Sequence, residues 1–201
     1  MLSHESRSRV RIVTRGERIR RATEADVPAV RALLAATWRD TYGAFLPLEA
    51  IERVTEVWHA TSALAAELAQ PATFTAVAED ESGIVGMVTA DGRPDAVELA
   101  RLYVLPSAQR RGLGRQLLAA ALAAFPDRTS ARLEVEAQNP KGRACYVKEG
   151  FVEIGERTVE AFGTHLRTIV MERVDGGGTP APGPAALRRH RPCPAKALGQ
   201  T

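Results

Sequence analysis

The stretch Val104 to Phe125, VLPSAQRRGLGRQLLAAALAAF, decides how this chain is read. Two glycines, Gly112 and Gly114, follow Gln109-Arg110-Arg111 and precede a run in which Leu113, Leu117, Ala121 and Ala124 recur at helical spacing. Pro126 ends that run. Upstream, AVELARLYVL (96–105) is a short apolar, β-prone segment stopped by Pro106. The pattern predicts a strand, a loop and a helix over 112–125. A helix start carries unpaired backbone N–H groups and a partial positive charge. Glycine lets a bulky anion approach those groups, and Gln109, Arg110 and Arg111 add donors and charge. The ligand so described is a phosphate or diphosphate. The Walker loop is absent, because Arg115-Gln116 follows Gly114. The dinucleotide fingerprint is absent too, with Leu117 where its third glycine belongs. The bland alternative is a solvated arginine pair ahead of a loose helix end.

Working outward, residues 18–22 read as a short strand, and Thr23 as an N-cap with Glu24 and Asp26 in the first turn. Val27, Val30, Leu33, Leu34 and Trp38 trace a helical face. Further helices are expected over 47–57 and 61–69. Segments 74–78 and 84–90 form a hairpin pattern around EDESG, and Leu133 and Val135 alternate with Glu134 and Glu136 in a strand over 132–137. A helix over 141–149 ends at Gly150, where a left-handed residue is wanted. Residues 151–160 and 166–173 pair as a last hairpin across AFGTH. The order β, helices, β, β, β, α, β, α, β, β is α/β with a mixed sheet.

The chain has 201 residues, enough for one sizeable core with tails. Its net charge of +3 hides an uneven distribution: +5 over residues 1–21, −6 over 22–175 and +4 over 176–201. An acidic body disfavours nucleic-acid binding and attracts a cationic amine. No apolar run reaches the length of a membrane span, and the basic N-terminus lacks the apolar core of a signal peptide. Two cysteines, Cys145 and Cys193, give no disulfide framework and fit a reducing cytoplasm. Four histidines without ligand spacing predict no metal, and His59 and His165 have no assigned role. The expected organisation is a basic leader over 1–17, one domain over 18–174 and a Gly/Pro-rich, disordered basic tail over 175–201.

Q-x-x-G-x-G at Gln109–Gly114, after a strand ending in Leu102-Tyr103-Val104, resembles the acetyl-CoA signature of the GNAT superfamily of N-acetyltransferases. LEVEAQNPKGRACYVKEGF (133–151) matches its second half at Asn139, Ala144, Tyr146, Gly150 and Phe151. The resemblance spans roughly residues 18–174. It implies a single-domain GNAT fold, with a mixed, mostly antiparallel central sheet flanked by helices and acetyl-CoA as co-substrate. Gln109, Arg110, Arg111, Gly112, Leu113, Gly114 and Arg115 then hold the diphosphate. Leu102, Tyr103 and Val104 serve the cofactor through their backbone, where their strand splays from the next. Asn139 contacts the pantetheine arm.

Acyl transfer to an amine needs a base, oxyanion donors and a proton for the departing thiolate. By resemblance Tyr146 is the general acid, and Glu98, an acid interrupting an apolar strand, is the base. On regular alternation Glu98 faces away from Arg101 and Tyr103, and a bulge, common in the family, would break that parity. Trp38 and Tyr42, in TWRDTYGAFLP, fall where the family walls its substrate cleft, although such aromatics more often anchor helix packing. The expected activity is direct transfer of an acetyl group, in a ternary complex, to the primary amine of a small molecule or a protein N-terminus. The rivals are a non-catalytic acyl-CoA-binding module and an unrelated nucleotide-phosphate binder. The sequence is also compatible with a homodimer through the final hairpin.

Overall fold

The computed structural model describes residues 16–161 and 164–174. Apart from Gly16 and Glu17, the expected leader and tail lie outside the described residues. The chain runs β1 (Arg18–Arg21), α1 (Val27–Tyr42), α2 (Leu48–Val57), α3 (Thr61–Leu68), β2 (Thr73–Asp80), β3 (Gly83–Gly92), β4 (Val97–Val104) and α4 (Leu113–Ala123). It continues through β5 (Ser130–Glu136), α5 (Pro140–Lys148), β6 (Val152–Ala161) and β7 (Thr164–Val174). The strands form one sheet in the order β1-β2-β3-β4-β5-β7-β6. Every neighbouring pair is antiparallel except β4 and β5, which run parallel because α4 carries the chain back between them. The result is a single α/β domain with the expected mixed, mostly antiparallel sheet.

Each face of the sheet is sealed by the helix whose periodicity predicts it. On one face Leu113, Leu117, Leu118 and Ala121 of α4 pack with Val97, Leu99, Leu133 and Phe151 in the largest core cluster. On the other, Val27, Val30, Leu33 and Leu34 of α1 meet Leu64 of α3, Val77 and Met87. A third cluster joins Trp38, Ile51, Val54 and Trp58, with Tyr42, Tyr103 and Leu166 against it. Gly150 ends α5 with φ +86°, the left-handed value expected after that helix. Among the described residues no helix is long and apolar enough to cross a membrane.

The start of α1 is fastened to the sheet by Asp26. Its carboxylate accepts two hydrogen bonds from the Arg20 guanidinium, at 2.7 and 2.8 Å, and one from the Thr23 N–H at 2.8 Å. Arg20 also donates to Glu79 on β2. Chiefly through Arg20, the Asp26 carboxyl is held well below the usual carboxylate range. A depressed folded-state pKa stabilises above the unfolded value of about 3.9, and that contribution drains away as the pH falls below it. Asp26→Asn is expected to cost about 2 kcal/mol at neutral pH. For a domain this size that lowers the unfolding midpoint by roughly 4–8 °C. Thermal unfolding at pH 7 and pH 3 checks the sign: the gap between parent and variant narrows in acid.

Candidate active site

The predicted phosphate loop has the geometry of an anion cradle. Arg110 has φ +62° and Gly112 φ +82°, while Arg111 between them stays on the negative side. Such alternation turns successive backbone N–H groups toward one concavity, and α4 begins directly behind it with Gly112 as its N-cap. At Gly112 the left-handed conformation costs a side-chain-bearing residue about 1–2 kcal/mol. Arg110 bears that cost itself.

The loop's side chains do not all face outward. Arg111 is ion-paired with Glu17 ahead of β1 and with Asp80 at the end of β2, the latter at 3.0 Å. It braces the loop from behind. Gln109 donates through Nε2 to the Val104 carbonyl at 3.2 Å, tying the loop to the end of β4. Arg110 is exposed, and the Arg115 side chain is 80% exposed and 3.7 Å from Glu149. The cationic side chains on the solvent side of the cradle are therefore Arg110 and Arg115. Leu113 is buried in the core. At Gly114 a Cβ would stand in ordinary contact with Val104 Cγ2, 4.0 Å away. Arg110→Gly is expected to preserve or raise the unfolding midpoint, since glycine takes φ +62° without strain. The same change is expected to weaken acetyl-CoA binding several-fold and flatten its salt dependence, as read by calorimetry at two ionic strengths.

Beside the cradle, β4 and β5 part company. They pair only at Val97–Ala131, Glu98–Arg132 and Leu99–Leu133. Beyond Leu99, β4 stays on β3 as far as Val104–Gly86, and β5 stays on β7 as far as Glu136–Thr168. Leu102, Tyr103 and Val104 thus border a gap in the sheet, where the expected splay lies. The register between β3 and β4 slips at the same level: Thr89 faces Arg101 but Ala90 faces Leu99, leaving Ala100 as a bulge. The extra residue resets the alternation, so Glu98, Arg101 and Tyr103 share the face opposite Leu99, Leu102 and Val104.

A cavity of ≈ 110 Å³ opens on that opposite face. Trp38 and Tyr42 from α1, with Trp58 and His59 from the α2–α3 corner, make one wall. Trp38 lies 4.4 Å from the Tyr42 ring centroid and 6.2 Å from that of Trp58. Ala100, Arg101 and Tyr103 of β4, Glu134 and Glu136 of β5, and Val159, Leu166 and Thr168 of the last hairpin complete it. Arg101 is engaged by Glu67 of α3 at 2.5 and 2.7 Å. Glu134 accepts from Thr168 at 3.1 Å and faces Arg157 at 3.8 Å. Glu98 is not among the lining residues. It sits two residues before the bulge, in the part of β4 still paired with β5.

Three phenols converge at the gap. Tyr42 donates a hydrogen bond to Tyr103, and Tyr146 of α5 lies close enough to raise Tyr42 and to be raised by Tyr103. Burial is the main reason all three are pushed above the ordinary tyrosine value, so each stays protonated through neutral and mildly alkaline pH. The helix that carries Tyr146, α5, is capped by Asn139, whose Oδ1 accepts from the Gly142 N–H at 2.9 Å. The Tyr146 ring packs edge-on against Phe151 at 5.8 Å. His59 is the opposite case: burial, then Arg101 and Arg31, bring its imidazole down to about 3, so it is neutral. Its Nδ1 is buried without a hydrogen-bond partner among the described residues. No group of three or more potential metal ligands occurs among the described residues.

Trp58, His59, Arg101, Glu134 and Glu136 are site-lining residues that sequence reasoning leaves unassigned. Glu134 and Glu136 alternate with Leu133 and Val135 and so read as a solvated strand face. Only the roof of α1, the α2–α3 corner and the last hairpin turns that face into a cavity wall.

The parting of β4 from β5, the positive-φ loop ahead of α4 and the aromatic-walled cavity together form the candidate active site. The family model for the acetyltransferase (GNAT) domain matches residues 45–172, and the chain belongs to that family. It is an acetyl-CoA-dependent N-acetyltransferase by that membership. PaiA N-acetyltransferase from Thermoplasma acidophilum, solved with coenzyme A, superposes with a TM-score of 0.68 at 22% identity, covering 79% of this chain and 98% of its own. The ribosomal-protein-S18-alanine N-acetyltransferase of Escherichia coli gives 0.61 at 19%, covering 82% and 98%. Spermidine N-acetyltransferase from Vibrio cholerae, solved with CoA and spermine, gives 0.57 at 21%, covering 81% and 97%. These likenesses establish the shared fold. No curated protein sequence matches the chain.

Proposed function

We propose that the protein moves an acetyl group from acetyl-CoA directly to a primary amine, on a small molecule or a protein N-terminus, with both substrates bound at once. The observation that carries this reading is the gap between β4 and β5, whose two edges line the cavity and whose β4 edge leads on into the loop at 110–114. In this reading the diphosphate of acetyl-CoA sits on the N–H groups of residues 110–114, with Arg110 and Arg115 as its counter-charges. Its pantetheine arm lies in the gap along Leu102–Val104, pairing with backbone like an added strand. With the oxygen of Asn139 committed to capping α5, its NH₂ is the group left to meet that arm. The backbone N–H groups near Tyr103 and Val104 face the developing oxyanion. Tyr146, protonated at neutral pH, donates to the departing sulfur.

The acceptor enters from the cavity, whose aromatic wall and carboxylates suit a cation. Among the structural neighbours, one is named for spermidine and another for a ribosomal-protein alanine, so both acceptor types are compatible with this fold. Thermal unfolding with CoA, acetyl-CoA and ATP tests the first half, with stabilisation expected from the first two alone. Release of free CoA against an amine panel tests the second. Acetyl-CoA binding without turnover on any amine would leave a non-catalytic acyl-CoA module.

A further inference from the structure

Loss of the amine's proton is the step for which three carboxylates compete, and Glu134, although it lines the cavity, is engaged by Thr168 and by the Arg157 guanidinium. Glu98, the acid suggested by its strand, stands where β4 and β5 are still paired, with Asp91 and Arg132 beside it in register. It does not line the cavity. Glu136 stands at the open end of the gap, is 5% exposed, lines the cavity and lies close enough to raise the Tyr42 phenol. It is the last residue of β5, past the point where β4 has moved away. A second feature marks the cavity as a ligand site: the buried His59, whose Nδ1 has no hydrogen-bond partner among the described residues.

Resting on the acetyl-transfer reading, we propose that Glu136 is the catalytic carboxylate that takes the acceptor's proton, and that the acceptor is an alkylammonium held against the Trp38–Tyr42–Trp58 wall. The face of an aromatic ring attracts a cation, and a neighbouring carboxylate completes the attraction. Excluding water disfavours the charged ammonium and the charged carboxylate alike, so proton transfer between them to give neutral amine and carboxylic acid becomes accessible. The nitrogen lone pair then attacks the thioester carbonyl carbon. As the N–C bond forms and the C–S bond breaks, the sulfur takes a proton from the Tyr146 hydroxyl, and the nitrogen's surplus proton restores that hydroxyl. The products are the N-acetylamine and CoA thiol, and Glu136 releases its proton to water.

The titratable groups that share the cavity with Glu136 are Tyr42 from α1, His59 from the α2–α3 corner, Arg101 and Tyr103 from β4 and Glu134 on its own strand, the last backed by Arg157 of β6, while Tyr146 of α5 lies near enough to raise Tyr42. The phenols stay protonated and His59 neutral between pH 6 and 9, approximately. Rate changes over that interval therefore belong to the acceptor and its base.

The test compares the full chain with Glu136→Gln, Glu136→Asp and Glu98→Gln, using n-butylamine, putrescine and phenethylamine as acceptors. With the best of the three, Glu136→Gln is expected to lower kcat/KM about 100-fold at pH 7.5. Stabilisation by acetyl-CoA should be unchanged. The deficit should shrink about tenfold per pH unit as the amine deprotonates unaided, and Glu98→Gln should stay near parental activity. If Glu136→Gln does not fold, Glu136→Asp serves instead, with an expected loss of kcat/KM and a preserved pH profile. Full activity in Glu136→Gln or Glu136→Asp, a deficit insensitive to pH, or a pH-dependent deficit in Glu98→Gln overturns the assignment. Acetylation of other amines but none of these three overturns the acceptor class. A parent protein that acetyl-CoA does not stabilise, and that releases CoA with no amine, instead removes the acetyl-transfer reading on which the proposal stands.

Discussion

Tyr146→Phe is expected to lower kcat about 100-fold while leaving acetyl-CoA affinity within about twofold. Phenylalanine keeps the edge-on contact with Phe151 and the packing against the main core, so only the hydroxyl is lost. Without it the sulfur departs as an unprotonated thiolate at the level of the gap. Burial raises the Tyr146 phenol, so the parent keeps its proton into the alkaline range, and no loss of the acid is expected below about pH 10. Steady-state kinetics with acetyl-CoA, alongside a melting curve, decides the matter. Unchanged turnover from a folded Phe variant would remove Tyr146 from the chemistry.

The second large effect concerns the cavity's own framework. Glu67→Gln is expected to cost about 3 kcal/mol, equivalent to roughly 6–12 °C in the unfolding midpoint. The Arg101 side chain is only 7% exposed and its Nη1 donates to both oxygens of Glu67. Taking away that carboxylate leaves a buried cation facing the cavity where an ammonium is to bind. The variant should therefore show a higher KM for the amine as well as lower stability. An acetyl-CoA affinity equal to the parent's would confirm that the damage stays on the acceptor side.

Most of the architecture could be read from residue order because its punctuation is chemical. Pro106 and Pro126 bracket the loop and α4, Gly150 closes α5, and the leucines of α4 declare their buried face. The cradle was legible for the same reason, since Gly112 and its cationic neighbours leave a local signature. Arg111 shows the limit of that signature. Its partners, Glu17 and Asp80, lie 94 and 31 residues away in sequence, and no local pattern tells a ligand-facing arginine from one turned back into the protein. The acids were harder still. Ala100 carries no mark of a bulge, so residue alternation alone put Glu98 opposite Arg101 and Tyr103, and only family resemblance warned otherwise. Glu134 and Glu136 gain their setting from elements more than 20 residues distant on both sides.

Among the described residues, three strand-pairing rungs, Val97 to Leu99 against Ala131 to Leu133, join the β1–β4 half of the sheet to the β5–β7–β6 half. Across so short a seam, the packing of Val97 and Leu99 with Ala131, Leu133 and α4 carries much of the work of holding the halves together. A molecule that hydrogen-bonds along the unpaired edge of β4 would lengthen the seam, and part of its binding energy would appear as fold stability. Cofactor loading and rigidity would then rise together, with slowed amide exchange at Leu102–Val104 and Glu134–Glu136 as the sign of it.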